Sequence, residues 1–175
     1  MSDRARLVAP LAILALLFSG AIFGFFFAWV CSTMWGLDAA DPEVAIAAMQ
    51  AMNASVRNPV FAPAFFGTPA VLAAAAVAAW TVAERRAAAL FGAATGLYVL
   101  GAMVPTVAVN VPLNEALAVV ELPLDPARAG EVWQSYSQPW QAWNTLRAVA
   151  AGIALLLAGW AVLGMGRVVG RPGRG

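Results

Sequence analysis

Residues 8–30 read VAPLAILALLFSGAIFGFFFAWV, an apolar run without a charged side chain. An α-helix needs about 20 predominantly apolar residues to cross the hydrocarbon core of a bilayer. The run is too long for the apolar part of a signal peptide, and no clean cleavage site follows it, so it predicts a retained membrane-spanning helix. Gly20, Gly24 and Ala28 recur every four residues, and we expect them to let a neighbouring helix approach closely.

The composition of the whole chain agrees with a membrane location. Of the 175 residues, 62% are hydrophobic and 11% are charged, whereas a soluble domain carries about 25% charged residues. The net charge of +1 argues against a nucleic-acid partner. With one cysteine, Cys31, and no histidine, the chain has no internal disulfide and little material for a zinc or haem site. We therefore expect no metal and no organic cofactor.

Further apolar runs predict three more spans, at about residues 61–83, 87–109 and 143–166. The predicted fold class is all-α: a four-helix transmembrane bundle forming a single membrane domain over residues 1–175. Two short helical elements, at about 41–57 and 126–142, are expected outside the membrane. Each starts at an Asp-Pro pair, Asp41-Pro42 or Asp125-Pro126, which is a typical helix start. Pro105 is expected to kink the third span, and Pro139 to bend the helix that leads into the fourth.

The arginines predict the orientation in the membrane. One side of the predicted bundle carries seven arginines and the other carries three, and the richer side normally faces the cytoplasm. Both termini are therefore expected in the cytoplasm, and the connections at 31–60 and 110–142 on the outer side. Ten arginines and no lysine in an alanine-rich chain favour a bacterial inner (plasma) membrane. The richer side holds Arg4, Arg6, Arg85, Arg86, Arg167, Arg171 and Arg174, and the other holds Arg57, Arg128 and Arg147.

Polar and aromatic side chains concentrate between Asn110 and Arg147. Four aromatic residues and Arg147 follow one another at intervals of 3, 4, 3 and 4 residues, which places them on one face of a helix. An arginine near the end of a span is costly unless it is paired or reaches water. The candidate partners of Arg147 are Glu115, Glu131, Asp38, Asn110, Asn114 and Asn144.

These residues predict a polar pocket with an aromatic wall, suited to a flat, largely apolar molecule that carries one or two oxygens. The candidate residues for chemistry are Arg147, Asn144, Asn110, Asn114 and Glu115. The candidate residues for binding are Asn53, Met49, Phe66, Trp133, Tyr136, Trp140 and Trp143. A structural role stays open as well, because Trp and Tyr are typical of membrane interfaces and Arg and Asn often cap helix ends.

Several stretches resemble one family of small membrane proteins, the anthrone oxygenase-like family. The stretches are Phe26-Phe27-Ala28-Trp29 with Met34, residues 45–53 (AIAAMQAMN), Asn58-Pro59-Val60-Phe61, Phe65-Phe66-Gly67, Asn110-Val111-Pro112-Leu113-Asn114, and Trp133 through Arg147. The resemblance implies that some fungal relatives oxidise anthrones to anthraquinones with oxygen, while most bacterial relatives have no assigned activity. It also implies that many members carry histidine at the position of Thr145.

The resemblance leads to a specific hypothesis: cofactor-independent oxidation of a flat phenolic, anthrone-like or quinol-like substrate in an outward-facing pocket. An anthrone enolate reacts with oxygen without a metal. Arg147 and the Asn amides would stabilise the oxyanion, and Glu115 or another carboxylate would take the proton. The expected partners are the lipid bilayer, a flat aromatic or quinone-like molecule and, in some arrangements, a second copy of the chain.

Two alternatives belong to other functional classes. A non-catalytic membrane protein would bind a lipid or quinone or support a partner. It predicts a pocket filled by its own side chains and an Arg147 paired with a carboxylate. A transporter is the third option. Four spans without an acidic residue inside any of them argue against a monomeric carrier, although a dimer would reopen it.

Overall fold

The computed structural model describes the backbone of residues 3–169 and the side chains of residues 7–165. All regular secondary structure of the described chain is helical and none of it is strand, so the predicted all-α class is confirmed. The α-helices are α1 (Asp3–Ala28), α2 (Met34–Asp38), α3 (Pro42–Ser55), α4 (Phe61–Thr81), α5 (Arg85–Tyr98), α6 (Val111–Ala118) and α7 (Pro126–Val169).

Four continuous helices are long and apolar enough to cross a membrane, as expected of an integral membrane protein. They span Leu7–Asp38, Phe61–Thr81, Arg85–Ala118 and Pro126–Met165. The second predicted outer element forms the first half of α7, which runs through Pro139 without interruption. The location of both short elements outside the bilayer stays a prediction.

The four long helices form a ring in which α1 packs against α4 and α7, and α5 packs against the same two helices. Small side chains, mostly alanines, fill the bundle centre together with Phe26, Phe65, Phe91 and Tyr98. Large aliphatic side chains point outward instead; Leu17, Val77 and Leu163 are each more than 60% exposed. An apolar exterior of this kind suits contact with lipid tails.

The first and third helices run further than the sequence predicts because they contain π-helical turns. Trp29–Thr33 joins α1 to α2, and the stretches Val99–Met103 and Thr106–Asn110 lie on either side of Pro105 and lead into α6. A π turn absorbs an extra residue without ending a helix. The first helix therefore continues past residue 30 and the third past residue 109, where their ends were expected.

A second, smaller core lies beyond the bundle, between α2, α3, α6 and the first half of α7. The two predicted helix starts are confirmed: the Asp41 carboxylate accepts from the Glu43 amide at 2.9 Å, and the Asp125 carboxylate accepts from the Arg128 amide at 3.0 Å. This outer core contains Met34, Ala45, Ile46, Met49, Leu117, Ala129, Trp133, Tyr136 and Trp140.

The glycine prediction was wrong about which residues allow close helix packing. A methyl group built on Gly20 or Gly24 would meet nothing within 4 Å, so both face open space. Close contacts occur instead at three other glycines: Gly67 against Phe18, Gly101 against Ala150, and Gly152 against Phe23. The sequence spacing identified a face of α1 with small residues, but this is not the face that packs against a neighbouring helix.

The orientation in the membrane stays a prediction. The side chains of Arg4, Arg6 and Arg167, together with residues Arg171 and Arg174, lie outside the described residues. At the turn between α4 and α5, the Arg85 guanidinium lies over the Trp80 ring, 3.6 Å from its centroid. This pair marks one end of the bundle.

Candidate functional site

A cavity of about 490 Å³ lies where the bundle core meets the outer core. Its walls come from α1 and its π turn, the end of α3, the start of α4, the π turn after Pro105, α6 and α7. The lining residues are Phe25, Phe26, Trp29, Met52, Asn53, Val56, Arg57, Asn58, Pro59, Phe61, Ala62, Phe65, Phe66, Thr106, Val107, Asn110, Val111, Asn114, Trp140 and Arg147.

Aromatic rings form much of the cavity wall. The ring centroids of Phe25 and Phe61 lie 4.7 Å apart, and those of Trp29 and Trp140 lie 5.1 Å apart. Among the exposed lining residues, which also include Arg57 and Pro59, Phe66 at 59% lies on α4 and Val107 at 63% lies on the third long helix. The cavity is therefore apolar over most of its wall and reaches the surface between these two helices.

Arg147 brings a buried positive charge to this apolar cavity. The residue is 5% exposed. Its Nη1 donates to the Thr106 hydroxyl at 3.1 Å, and its Nη2 donates to the Asn144 side-chain oxygen at 3.0 Å. The guanidinium carbon also lies 4.8 Å from the Phe26 ring centroid and 5.3 Å from that of Trp140. All of these partners are neutral.

Two buried polar atoms at the cavity have no hydrogen-bond partner: Arg147 Nε and Asn110 Oδ1. The Asn110 amide nitrogen donates to the Trp140 carbonyl oxygen at 3.2 Å. This bond fixes the amide orientation, because flipping it would place two acceptors against each other. Buried polar groups are normally satisfied, and exceptions call for an explanation. Here two residues that line one cavity each carry a buried polar atom without a partner, one donor and one acceptor.

A second polar network ties α7 to α3 and α6. Asn114 Oδ1 accepts from the Tyr136 hydroxyl at 2.8 Å and from the Trp140 indole nitrogen at 2.9 Å. The Asn53 amide nitrogen donates to the Tyr136 hydroxyl oxygen at 3.3 Å. Asn53 and Asn114 line the cavity, whereas Tyr136 lies behind them. The network fixes the outer wall of the cavity.

The cavity lining includes about half of the site residues predicted from the sequence. Arg147, Asn110, Asn114, Asn53, Phe66 and Trp140 line the cavity. Asn144 lies behind Arg147 and is 1% exposed. Met49, Trp133 and Tyr136 are buried in the outer core, and Trp143 is 38% exposed outside the lining.

None of the three expected carboxylate partners contacts Arg147. Glu115 is exposed and lies 3.8 Å from Arg57, and Glu131 bonds Arg128 at 3.1 Å. The Asp38 carboxylate, at the end of α2, accepts from three donors on α7, namely Trp133 Nε1, Ser137 Oγ and Gln141 Nε2. Each acid is therefore engaged elsewhere. The filled pocket and carboxylate-paired Arg147 expected of a non-catalytic protein are not found in the described part of the chain.

Sequence reasoning missed Thr106 and Phe26, which both contact Arg147. The signal for Thr106 was present in Pro105, since a helix that continues past proline must rearrange its hydrogen bonds there. Thr145, the position at which the family resemblance implies histidine, is exposed and lies outside the lining. Among the described residues, no three His, Cys, Asp or Glu side chains come together in a way that could hold a metal ion.

Fold and site together define an integral membrane helical bundle with a ligand-sized apolar cavity and one buried arginine. Comparison with family models then gives a match to anthrone oxygenase over residues 58–157, more than half of the chain. The protein belongs to the anthrone oxygenase-like family. The matched region includes Asn110, Asn114, Trp140 and Arg147, whereas Phe26 and residues 45–53 precede it. The comparison with curated proteins found no match, and neither did the comparison with solved structures.

Proposed function

We propose that this protein oxidises a flat phenolic, anthrone-like or quinol-like molecule with oxygen, inside the membrane-embedded cavity and without a cofactor. The observation that carries the proposal is the buried, carboxylate-free guanidinium of Arg147 in an apolar, aromatic cavity. Family membership supports the type of reaction. The cavity volume of about 490 Å³ lies within the range usual for small-molecule sites.

The lining divides into a binding part and a polar end. Aromatic rings such as Phe61 and Trp140 offer faces on which a fused-ring molecule stacks. Arg147, Thr106 and Asn110 supply polar groups at one end. A molecule that carries an oxygen on one edge would place that oxygen near Arg147 and its rings against the aromatic wall. The site therefore suits an aromatic ketone or phenol better than a lipid acyl chain.

The reaction with an anthrone can be written in three steps. Loss of the proton from the methylene carbon opposite the carbonyl gives the enolate, whose charge resides mainly on oxygen. That carbon then bonds to O₂ and, after protonation, gives an organic hydroperoxide. Removal of the remaining proton from the carbon breaks the O–O bond and gives the second carbonyl and water. One anthrone and one O₂ thus yield one anthraquinone and one water.

Arg147 acts in this scheme by stabilising the charge that develops on oxygen. A positioned donor in a water-poor site stabilises an oxyanion far better than bulk water does, and it needs no reorganisation during the reaction. Glu115, the candidate base from the sequence, lies outside the lining and pairs with Arg57, which does line the cavity. In this proposal Glu115 passes the proton from the part of the cavity lined by Arg57 to solvent.

The direct test is oxygen consumption by the purified full-length protein in lipid nanodiscs with unsubstituted anthrone. We expect uptake above the spontaneous rate, with one quinone formed per O₂ consumed. Arg147→Ala should lower the catalysed rate by about 100-fold or more, in line with the loss of an oxyanion donor. Arg147→Lys keeps the charge and should retain part of the activity. Equal rates for wild type and Arg147→Ala would remove the proposal.

Non-catalytic binding of a quinone or a related ring system is the second candidate, now in an open cavity rather than the self-filled pocket expected from the sequence. The observation that favours it is the absence of a carboxylate from the cavity lining. It predicts saturable binding of the same molecules without oxygen uptake. The nanodisc experiment therefore separates the two candidates when binding and oxygen consumption are measured on one sample.

A further inference from the structure

We infer that the cavity binds its ligand as an anion, and that a negative ligand oxygen supplies the counter-charge that Arg147 lacks within the protein. The ligand class rests on the proposed function. The inference adds the ionisation state of the bound molecule, and with it a rule for which molecules bind.

The first step concerns the charge of Arg147. The side chain is 5% exposed, and its hydrogen-bond partners are a hydroxyl and an amide. In the described structure no carboxylate lies within ion-pair distance of it. Burying a charge without a counter-charge is costly, whereas pairing it recovers much of that cost. A ligand anion would make the cavity electrically neutral, which a neutral ketone cannot do.

The second step concerns the free donor and the free acceptor. The Arg147 guanidinium has five N–H groups and gives only two of them, to Thr106 and Asn144, so N–H groups remain for a ligand; Nε itself is buried without a partner. Hydrogen bonds from a charged donor to an anionic oxygen are about twice as strong as neutral ones. Asn110 Oδ1, held in place by the bond to the Trp140 carbonyl, needs a donor. A hydroxyl on the ligand or a water molecule would supply it.

The third step concerns the proton. The polar side chains in the lining are amides, arginines and one hydroxyl, and the lining contains no carboxylate, histidine, cysteine or tyrosine. The cavity therefore offers no ordinary proton acceptor, and binding must release the ligand proton to solvent: neutral ligand plus protein gives the ligand anion on the protein plus H⁺. The rule that follows is selection by acidity among enolisable aryl ketones and phenols of similar shape.

The test is a binding titration under argon, so that no oxidation occurs. The full chain in lipid nanodiscs is titrated with anthrone and with ring-substituted anthrones of graded acidity. Absorption spectra distinguish the neutral form from the anion. We expect the anion spectrum for bound ligand at pH values where the free ligand is mostly neutral. Affinity should weaken about tenfold per pH unit below the ligand pKa. The midpoint should move with the pKa of each ligand.

Variants separate charge pairing from general binding. Arg147→Gln should lose the anion spectrum and at least about tenfold in affinity, the usual loss for a hydrogen bond to a charged group. Arg147→Lys should keep the anion spectrum. Glu131→Gln changes an exposed acid that pairs with Arg128 away from the cavity, and it should match the wild type. If Arg147→Gln does not fold, the titration of the wild type with anthrones of graded acidity tests the inference by itself.

A neutral spectrum for bound ligand would overturn the inference, and so would one pH midpoint shared by all ligands, since that midpoint would report a protein base. Admitting air after the titration distinguishes the oxygenase proposal from the anion inference, because only the first predicts oxygen uptake. Anion binding without oxygen uptake would overturn the oxygenase function alone. Oxygen uptake with neutral ligand bound would overturn the anion inference alone.

Discussion

Arg147 donates from Nη2 to the side-chain oxygen of Asn144 at 3.0 Å, and Asn144 donates in turn to the Phe26 carbonyl oxygen at 3.1 Å. The two bonds connect α7 with the last turn of α1, directly before the π turn at Trp29–Thr33. Asn144 lies outside the cavity lining, so it is a positioning residue. It holds the guanidinium in place without adding a negative charge.

Asn144→Asp should therefore weaken ligand binding although it preserves the shape of the side chain. The new carboxylate would pair with Arg147 inside the protein, so that a ligand anion would no longer be needed for neutrality. We expect the anion affinity to fall by about tenfold or more. The measurement is the anaerobic anthrone titration, with thermal unfolding as a check on folding.

Gln134→Glu is the matched control, because it makes the same change of charge on an exposed position of α7. It should leave anthrone binding as in the wild type. A folded Asn144→Asp protein that binds the anthrone anion with wild-type affinity would show that the charge of Arg147 is not what holds the ligand.

Thr106→Val should lower activity while leaving stability close to that of a matched control. The Thr106 hydroxyl donates to the Ala102 carbonyl at 2.7 Å and accepts from Arg147 at 3.1 Å. Valine has nearly the same shape but frees one guanidinium N–H. We expect the catalysed oxygen uptake to fall by about tenfold or more, since a hydrogen bond to a charged group is lost.

Thr95→Val provides the control on the same long helix. The Thr95 hydroxyl makes the same kind of bond, to the Phe91 carbonyl at 2.8 Å, but it lies outside the cavity lining. Comparable unfolding temperatures with a difference in oxygen uptake would support the role of Thr106. An equal loss of activity in both variants would assign the effect to helix geometry instead.

Asn114→Ala should destabilise the outer core. Its side-chain oxygen is the shared acceptor for the Tyr136 hydroxyl and the Trp140 indole N–H. Leaving two largely buried donors unpaired should cost about 2 kcal/mol in the free energy of unfolding. Thermal unfolding in nanodiscs measures the loss. Asn114→Asp keeps an acceptor oxygen and should recover most of the stability; if it unfolds as early as Asn114→Ala, the shared acceptor is not the cause.

Phe66→Ala should weaken ligand binding more than it weakens the fold. Phe66 is 59% exposed at the cavity surface and packs edge-on against Phe65 with ring centroids 5.0 Å apart. Removing one aromatic wall should lower anthrone affinity by about 3- to 10-fold. Phe27→Ala removes a ring that is 48% exposed and lies outside the lining. Affinity unchanged in Phe66→Ala, or lowered equally in Phe27→Ala, would contradict a binding role for Phe66.

The helical class and the helix starts were predictable because they depend on local signals. Apolar runs predicted four long helices, and the Asp41 and Asp125 caps needed only neighbouring residues. The interval of three residues between Asn144 and Arg147 likewise placed two side chains on one helix face, where they bond.

The partners across helices were not predictable, because they depend on how the helices rotate and pack. Thr106 lies in the π turn that follows Pro105, and it contacts Arg147, where a carboxylate or an amide was expected from the sequence. The four aromatic residues of the predicted helix face, Trp133, Tyr136, Trp140 and Trp143, also have different surroundings. Trp133 and Trp140 are buried in the outer core, whereas Trp143 is 38% exposed and its neighbour Asn144 is buried instead.

Gly101→Ala should destabilise the bundle, and Gly96→Ala should not. A methyl group at Gly101 would lie 2.5 Å from the Ala150 Cβ, so α7 and the third long helix would have to separate. Overpacking of this kind costs about 1–3 kcal/mol in the free energy of unfolding. Gly96 lies on the same long helix and faces open space, so alanine there should be neutral or stabilising by up to about 1 kcal/mol.

The Gly101→Ala change should also lower activity. Because Ala150 lies three residues beyond Arg147, separation of the two helices would also loosen the contact between Arg147 and Thr106. Oxygen uptake should therefore fall together with stability in Gly101→Ala alone. Equal unfolding temperatures for the two variants would show that these helices do not approach as closely as the structure has them.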